Sequence, residues 1–251
     1  MIETRRYQIK LTTEEPFRIG GKEDPLSGEH GAVVVVGGRV AIPGPSLKGA
    51  LRAAIEGELI DAYYDHSHKR WPDAEMGLQP CLPTARPSAD EQALANAGMY
   101  RSKGCSYGGR GPTTICPACY LLGAQSMSGF LRVPFLFCNT MAEELYSLSL
   151  DRATGTGAGG RNRPYQLIPP ETQLSGELEI LWKDSLKSWE FGKPRPLAQA
   201  PEADAWLNSG DWDQKTILKK LVVQPLRSIR CLGGFRSKGF GRVRVEISAE
   251  Q

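Results

Sequence analysis

The sequence contains no long hydrophobic run, since no window of its 251 residues approaches the roughly 18 consecutive apolar residues that a membrane-spanning helix requires. It also lacks an apolar segment near its start, where residues 1–10 are polar and basic, so the sequence predicts no signal peptide. An internal repeat of fixed period is missing as well. We therefore expect a cytoplasmic protein with no membrane partner.

Hydrophobic residues make up 40% of the chain, which suffices for a folded core, and the length suits one large or two small domains. The 28 glycines and 18 prolines indicate many loops, although their share stays below that of disordered chains. Strand patterns alternate with one well-marked helix pattern in each half of the chain. This order predicts an α+β fold with a ferredoxin-like core.

Three local patterns give more specific expectations. The β-branched run Ala32–Val36 predicts a buried strand. Ser46 precedes a helical apolar stripe and is the expected N-cap of that helix. Pro225 lies inside a second helical stripe, which it is expected to kink or split because proline has no N–H to donate.

Positive charge is concentrated near the C-terminal end. Residues 215–244 contain no acidic residue and carry nine cations, namely Lys215, Lys219, Lys220, Arg227, Arg230, Arg236, Lys238, Arg242 and Arg244. Such a block favours a nucleic-acid-binding face. A solvated helix face followed by a basic edge strand is the alternative.

The same block contains a glycine-rich segment at residues 233–243. Glycines let the backbone approach a ligand closely, and neighbouring cations supply counter-charge for phosphate. Arg236, Ser237 and Lys238 are therefore candidate RNA-binding residues. The aromatic residues Phe235 and Phe240 are expected to pack beneath this loop rather than to stack on bases.

Residues 61–123 form a segment rich in proline, glycine, serine, cysteine and histidine, with little periodicity. A loop of this length is unusual in a compact domain, so we interpret it as an insertion that needs an additional stabilising element. Cys116 and Cys119 form a C-x-x-C pair, the spacing with which two thiolates bind one zinc ion. Structural zinc would stabilise the insertion because its binding energy contributes to folding.

The remaining zinc ligands lie outside the C-x-x-C pair. Cys105 is the expected third ligand and Cys81 the preferred fourth, with His66 and His68 as alternatives. A redox pair, a disulfide or unrelated buried thiols would also explain the cysteines. A reducing cytosol disfavours the disulfide, and no βαβ unit begins at the C-x-x-C.

Two separated motifs resemble signatures of one family. Ile42–Arg52 reads I-P-G-P-S-L-K-G-A-L-R and closely resembles the I-P-G-S-S-L-K-G-x-x-R signature of the RAMP superfamily, the repeat-associated proteins of CRISPR effector complexes. Leu232–Val243 resembles the glycine-rich loop near the C-terminal end of these proteins. Arg18–Gly21 matches the end of their first hairpin. The resemblance covers about half of the chain and both of its ends.

The resemblance implies a modified RNA-recognition-motif fold, with a core of residues 1–60 and 124–251 and residues 61–123 as the insertion. It implies a thumb-like hairpin at about residues 139–172. It further implies a type III-like backbone subunit that polymerises along CRISPR RNA. The expected partners are CRISPR RNA, target nucleic acid, copies of the same chain and other effector subunits.

The resemblance also implies which residues contact the guide RNA. Ser46, Lys48 and Arg52 match the signature positions that touch guide phosphates, and Arg161 and Arg163 lie where the thumb is expected. A helix N-terminus favours phosphate independently, because it presents backbone N–H groups and a positive dipole end. Such contacts accept any sequence, as a guide-binding subunit requires.

Type III backbone subunits are similar to metal-dependent ribonucleases that cut target RNA at six-nucleotide intervals, using an aspartate in a loop before the I-P-G motif. The corresponding loop, residues 22–31, looks shortened, and Asp24 is its only aspartate. Asp24 and His30 are therefore the candidate catalytic residues, with Mg²⁺ as the candidate ion and His30 as a candidate general base. A solvated acidic turn is the alternative.

Two other functions remain open from the sequence. The first is an endoribonuclease of the same superfamily that processes the CRISPR RNA precursor, which a histidine near the N-terminus without a cysteine-rich insertion would favour. The second is a non-catalytic, zinc-stabilised structural subunit that caps an assembly and scarcely touches RNA.

Overall fold

The structure is a computed structural model that describes residues 1–20, 32–84, 86–107, 114–147, 153–154, 156, 163–198 and 200–249. Its strands are β1 (Ile2–Thr13), β2 (Val35–Val36), β3 (Arg39–Ile42), β4 (Leu131–Arg132), β5 (Leu136–Phe137), β6 (Glu143–Ser147), β7 (Arg163–Leu167), β8 (Gln173–Asp184), β9 (Trp189–Glu190) and β10 (Val243–Ala249). Its α-helices are α1 (Gly44–Tyr63), α2 (Ala89–Asn96), α3 (Pro117–Leu122), α4 (Gln214–Ile217) and α5 (Gln224–Ser228). Short 3-10 helices occupy Asp73–Leu78, Ala205–Ser209 and Arg236–Lys238.

The main sheet is antiparallel and has the order β10-β1-β8-β5-β3-β2, with β4 and β9 also pairing with β8. Its strands alternate between a buried and an open face, as β1 shows by burying Ile9 and Leu11 completely. At the sheet edge, β10 buries Val243 and Val245 and exposes Arg244 between them. The α+β class predicted from the sequence is confirmed.

Helix α1 contributes the apolar stripe that covers the buried face. Leu47, Leu51, Ile55 and Leu59 recur every four residues and are at most 1% exposed. They share one hydrophobic core with the inward side chains of β1, β8 and β10.

A second continuous helix packs beside β10 and α1. It consists of α4, a π-helical segment at Leu218–Val223, and α5. The Gln224 N–H bonds to the Lys219 carbonyl, five residues back, directly before Pro225. The chain stays helical through Pro225, and the local change is a π-turn directly before it, because proline cannot continue the regular hydrogen-bond ladder.

The predicted N-cap of α1 is wrong. The helix begins at Gly44 with Pro43 as its N-cap and no side-chain cap, so Ser46 lies within the first turn. Pro45 fits there because the first turn has no partner for its N–H groups. Gly44 is required by packing, since a Cβ atom would lie 2.8 Å from the Val133 carbonyl oxygen.

The predicted buried strand at Ala32–Val36 is also wrong. Only Val35 and Val36 are in strand β2, at the edge of the sheet, and they are 55% and 42% exposed. Val33, by contrast, is buried and forms an isolated bridge with Gly20. A run of β-branched residues indicates strand conformation but does not tell a central strand from an edge strand.

Strands β6 and β7 form a two-stranded antiparallel hairpin that lies outside the main sheet. It falls within the region where the thumb is expected. Leu145 and Tyr146 of β6 are exposed, whereas Leu167 at the end of β7 is buried. A bridge between Phe17 and Ile168 connects the base of the hairpin to the N-terminal strand region.

The insertion packs against a second irregular segment, residues 191–213. Helix α3 is buried along its whole length, and the Tyr120 hydroxyl accepts from the Gly192 N–H. Beside it lies a fully enclosed ion pair, in which Arg195 Nε and Nη2 each donate to the Asp204 carboxylate at 2.7 Å. The insertion is therefore part of the folded body, and not a separate appendage.

Among the described residues, none of the helices combines the length and the apolar character that a membrane crossing requires.

Candidate metal centre and nucleic-acid interface

Four cysteines of the insertion converge in space although they are spread over residues 81–119. Their sulfur atoms all lie within 4.8 Å of one another, and all four residues, Cys81, Cys105, Cys116 and Cys119, are buried. The Cys81 sulfur is 3.5 Å from that of Cys119 and 3.8 Å from that of Cys116. None of the six cysteines, all of which fall in the described ranges, forms a disulfide.

The arrangement fits a tetrahedral metal ion. Four thiolates bound at about 2.3 Å from zinc would have their sulfur atoms about 3.8 Å apart, close to the sulfur–sulfur distances of 3.5 and 3.8 Å found here. A donor set made only of sulfur favours a borderline or soft ion. The cluster can therefore hold a metal such as zinc.

The histidines considered as alternative ligands lie elsewhere. His68 Nδ1 is 2.7 Å from Asp65 Oδ2 at an exposed turn. The His66 ring packs edge-on against Tyr64, with the ring centroids 5.1 Å apart. In the described part of the chain, the group of side chains close enough to share one ion consists of the four cysteines.

Two local structures bring the cysteines together. Cys116 is the N-cap of α3 and Cys119 lies in its first turn, so the C-x-x-C spacing turns both sulfurs toward the same point. Cys81 forms a parallel β-bridge with Arg101. The Arg101 guanidinium in turn donates to the carbonyls of Met76, Gly77 and Thr114. This arginine therefore braces the irregular chain around Cys81.

Backbone N–H groups already point at the sulfurs. The Cys105 N–H donates to the Cys81 sulfur at 3.3 Å, and the Cys116 N–H donates to the Cys105 sulfur at 3.4 Å. Hydrogen bonds from the neighbouring thiols, that of Cys105 first, lower the pKa of Cys81. A hydrogen bond with Cys105 is the main cause that raises the pKa of Cys119. A bound metal would displace the thiol protons, because zinc binds the thiolate form.

The N-terminal part of α1 presents one cation to solvent. Lys48 is exposed, and Ser46 two residues before it is half-buried. Gly49 follows with open space around it, since a Cβ atom there would have no neighbour within 4 Å. This part of the helix is accessible to an anionic ligand.

The glycine-rich loop is held by close backbone contacts. A Cβ atom at Gly233 would lie 2.3 Å from the Arg18 carbonyl oxygen, and one at Gly241 would lie 2.3 Å from that of Leu232. Both glycines have positive φ, so a side chain is excluded by backbone conformation as well as by space. These contacts fix the ends of the 3-10 turn Arg236–Lys238.

The polar side chains of that turn face outward. Arg236, Ser237 and Lys238 are all exposed. The Lys238 ammonium lies 4.5 Å from the centre of the Phe235 ring, and Arg236 Nε donates to the Gly233 carbonyl at 3.2 Å. The loop therefore combines surface cations with a backbone that glycines hold in place.

The two aromatic residues of the loop differ in how far they are buried. Phe240 is buried, as expected, and its ring packs against Tyr165 of β7. Phe235 is only half-buried and adopts a left-handed backbone conformation with φ of 61°. Its ring lies beneath the guanidinium of Arg18 at 4.5 Å. The packing prediction is thus confirmed for Phe240.

A family model described as the RAMP superfamily matches residues 10–244. The chain belongs to the RAMP superfamily. The match runs from the end of β1 to the start of β10 and includes the insertion and the glycine-rich loop, and so extends far beyond the two motifs that first indicated it. A search of curated proteins found no match. Membership supports a CRISPR-associated, RNA-binding role for this RAMP protein.

Arg52 of the RAMP signature is not exposed beside Lys48. The resemblance assigned it to guide phosphates, whereas its guanidinium lies 3.3 Å from the Cys119 sulfur and 3.4 Å from the Cys81 sulfur. It also contacts the Glu56 carboxylate at 2.8 Å. Burial raises the pKa of Glu56 to about 7, although the positive charge of Arg52 opposes that shift.

Several candidate catalytic and RNA-binding residues of this RAMP protein lie outside the part of the chain that the structure describes, or have only their backbone described. Asp24, His30 and Arg161 lie outside the described residues. Arg163 begins β7 and pairs through its backbone with Ser147. Their roles therefore stay predictions from the resemblance.

Some cations of the basic block have partners within the protein itself. Arg242 and Arg244 lie 3.6 and 3.8 Å from the Glu14 carboxylate. Arg227 donates to the Ile247 carbonyl. The solvated-face alternative thus describes some of these cations, and the turn at Arg236–Lys238 is the more specific candidate for RNA.

Sequence reasoning also missed the polar partners around the insertion. Glu56 stands four residues after Arg52 on α1, a spacing that commonly pairs opposite charges and that could have indicated this contact. The pair between Arg195 and Asp204 had no comparable signal, because the two residues are joined by an irregular segment.

Proposed function

We propose that this RAMP protein is a CRISPR RNA-binding backbone subunit that polymerises along the guide in a multi-subunit, type III-like effector complex. The observation that carries the proposal is the exposed basic turn Arg236–Lys238 on a glycine-fixed loop, in a chain that belongs to this superfamily. Its partners would be CRISPR RNA, target nucleic acid, further copies of itself and other effector subunits.

The sheet topology supports a ferredoxin-like, RNA-recognition-motif core. The sequence β1-α1-β5-β8-second helix-β10 corresponds to a βαββαβ unit, and the order β10-β1-β8-β5 places its last strand beside its first. We assign residues 1–60 and 124–251 to this core and residues 61–123 to the insertion. The hairpin of β6 and β7 would be the thumb, with Arg161 and Arg163 at the guide.

The residues that would bind guide phosphates lie in two separate parts of the chain. Lys48 near the start of α1 and the cations of Arg236–Lys238 would contact the guide backbone, with Ser46 on the same helix. Contacts to phosphate hold RNA of any sequence, which a guide-binding subunit needs. The binding should therefore be strong, sequence-independent and sensitive to salt.

The insertion would be stabilised by a structural zinc ion bound to Cys81, Cys105, Cys116 and Cys119. The sulfur donor set and the N–H groups directed at it support this assignment. When bound, zinc would supply structural cross-linking energy and no reaction step. Helix α3, whose side chains are all buried, would be held in place by two of the ligands.

Replacing Lys48 or Lys238 with alanine should weaken RNA binding by about tenfold each, because each change removes one charge-assisted contact to phosphate. The dependence of affinity on salt should become shallower by about one unit of slope per lysine. The measurement is the affinity for a single-stranded guide RNA at several salt concentrations. Lys187→Ala is the matched control, since Lys187 is exposed but lies in the turn after β8, beside Asp184.

If both variants bind RNA like the wild type at moderate salt, the guide-binding proposal fails. The result would then favour the alternative function, a zinc-stabilised capping subunit that scarcely touches RNA. Loss of binding in Lys187→Ala to the same degree would show that the effect is one of net charge only.

Cleavage of target RNA is a separate prediction. An assembled complex that contains guide, matching target RNA and Mg²⁺ should cut the target at six-nucleotide intervals, and Asp24→Ala should abolish cutting while leaving guide binding intact. His30→Ala should slow cutting if the imidazole acts as a general base. An uncut target in the wild-type complex would define a binding-only subunit. Cutting of the guide precursor instead would identify a processing enzyme.

A further inference from the structure

Arg52 lies on the side of α1 that faces the insertion. One of its guanidinium nitrogens, Nη2, is 3.3 Å from the Cys119 sulfur and 3.4 Å from both the sulfur and the carbonyl oxygen of Cys81. Its side chain is only 13% exposed. The guanidinium is thus enclosed against the cysteine cluster, whereas Lys48 one turn earlier is open to solvent.

We infer that Arg52 is a positioning residue for the metal centre and not a contact for guide phosphate. The inference rests on the proposed zinc site. Four thiolates around a divalent cation leave a net charge of about −2 in a buried place, where uncompensated charge is costly. The guanidinium offsets part of this charge and donates N–H groups to two of the four sulfurs, so it holds their orientation as well.

Two further residues hold the guanidinium in that place. Arg52 Nε lies 2.8 Å from Glu56 Oε1, at an angle too bent for a hydrogen bond, so the contact is one of charge. Tyr100, from the insertion, interacts with the same carboxylate. A chain of polar contacts thus runs from the insertion through Tyr100, Glu56 and Arg52 to the sulfurs.

This chain links the metal centre to the RNA-binding helix. Arg52 and Glu56 are on the same α-helix as Ser46 and Lys48. Helix α3, which carries Cys119, packs against α1 as well. Removal of the metal would leave the sulfurs without the ion that fixes their positions, so Arg52 would lose its well-placed acceptors and α1 would lose support on that side. RNA affinity should then fall although the metal itself does not contact RNA.

The test compares metal release from Arg52→Gln, Arg52→Lys and the wild type, each loaded with zinc as the full chain. Release into a chromogenic chelator should be roughly 10–100 times faster for Arg52→Gln, the range found when a partner of a metal ligand is removed. Arg52→Lys should recover part of the loss because it retains the charge. Lys48→Gln is the matched control, since it removes a cation from the same helix without touching a sulfur, and it should release zinc at the wild-type rate.

A spectroscopic readout separates positioning from a merely structural effect. In the cobalt-substituted protein, Arg52→Gln should shift the sulfur-to-cobalt charge-transfer band while the bands of a four-coordinate ion persist. Structural disruption alone would remove the four-coordinate bands instead. A charge-transfer band at the wild-type position in Arg52→Gln would contradict the inference.

The outcomes also distinguish this inference from the proposed function. A wild-type chain that binds no metal would overturn the proposed zinc site and this inference, and would leave the guide-binding proposal to its own lysine test. A wild-type chain that binds zinc, with Arg52→Gln releasing it at the rate of Lys48→Gln, would overturn the inference alone. A second result would also overturn the inference alone. If zinc-loaded Arg52→Gln binds RNA more weakly and its RNA affinity depends less steeply on salt, Arg52 is a phosphate contact. If Arg52→Gln does not fold, Glu56→Gln decides by its release rate, since it removes the charge that holds Arg52 and leaves the ligands intact.

Discussion

Replacing Cys116 with serine is expected to reduce bound zinc from about one ion per chain to near zero and to unfold the insertion. Cys116 is buried, its sulfur lies 3.8 Å from that of Cys81, and its N–H donates to the Cys105 sulfur. A serine hydroxyl is a poor ligand for zinc, and the remaining three sulfurs would leave one tetrahedral position open. Structural zinc sites contribute about 10 kcal/mol or more of apparent binding energy, so the loss should be large.

The measurement is elemental analysis of the purified protein together with its thermal unfolding. Cys231→Ser is the matched control, because Cys231 is exposed and lies outside the cluster. It should keep both zinc and stability. Purified wild-type protein without zinc or another thiophilic metal would refute the metal centre. A chelator added to the wild type should reproduce the Cys116→Ser phenotype, since both remove the same cross-link.

Replacing Asp204 with asparagine is expected to lower the free energy of unfolding by about 3–5 kcal/mol. Both side chains of the pair with Arg195 are fully buried. The carboxylate accepts three hydrogen bonds, from the backbone N–H, Nε and Nη2 of Arg195. Asparagine has the same shape, but its amide group would face one of these donors with donors of its own, and the guanidinium would stay charged without a counter-ion.

Urea denaturation of the metal-loaded protein measures this effect. The double variant Arg195→Met/Asp204→Leu should recover most of the lost stability, because removing both charges removes the desolvation cost along with the attraction. The Arg195 guanidinium lies 4.9 Å from the ring of Tyr120, which follows Cys119 in α3. Asp204→Asn should therefore also speed metal release. A decrease in the free energy of unfolding below about 1 kcal/mol would show that the ion pair does not stabilise this part of the fold as its geometry indicates.

Some elements could be predicted from sequence because local chemistry determines them. The alternation on β1 and β10, the stripe on α1 and the irregular helix geometry before Pro225 follow from periodicity and from the missing N–H of proline. The cysteine spacing in 116–119 likewise brings two sulfurs to one end of a short helix whatever its surroundings. These features needed no knowledge of distant contacts.

Other predictions failed because they depended on such contacts. Whether Val35 and Val36 are buried depends on the position of their strand in the sheet, and the edge position leaves them exposed. The start of α1 at Gly44 depends on how closely the chain at Val133 passes it. Neither distance can be read from nearby residues.

The sequence by itself determined the fold class, the RAMP signature on α1 and the glycine-rich loop, since each is a local pattern of residues. Only the tertiary structure decided that Cys81, and not a histidine, stands beside the other three cysteines. It also decided that Arg52 faces sulfur while Lys48 faces solvent. The physical reason is that α1 has two polar sides, and only the position of the insertion shows which of them it covers.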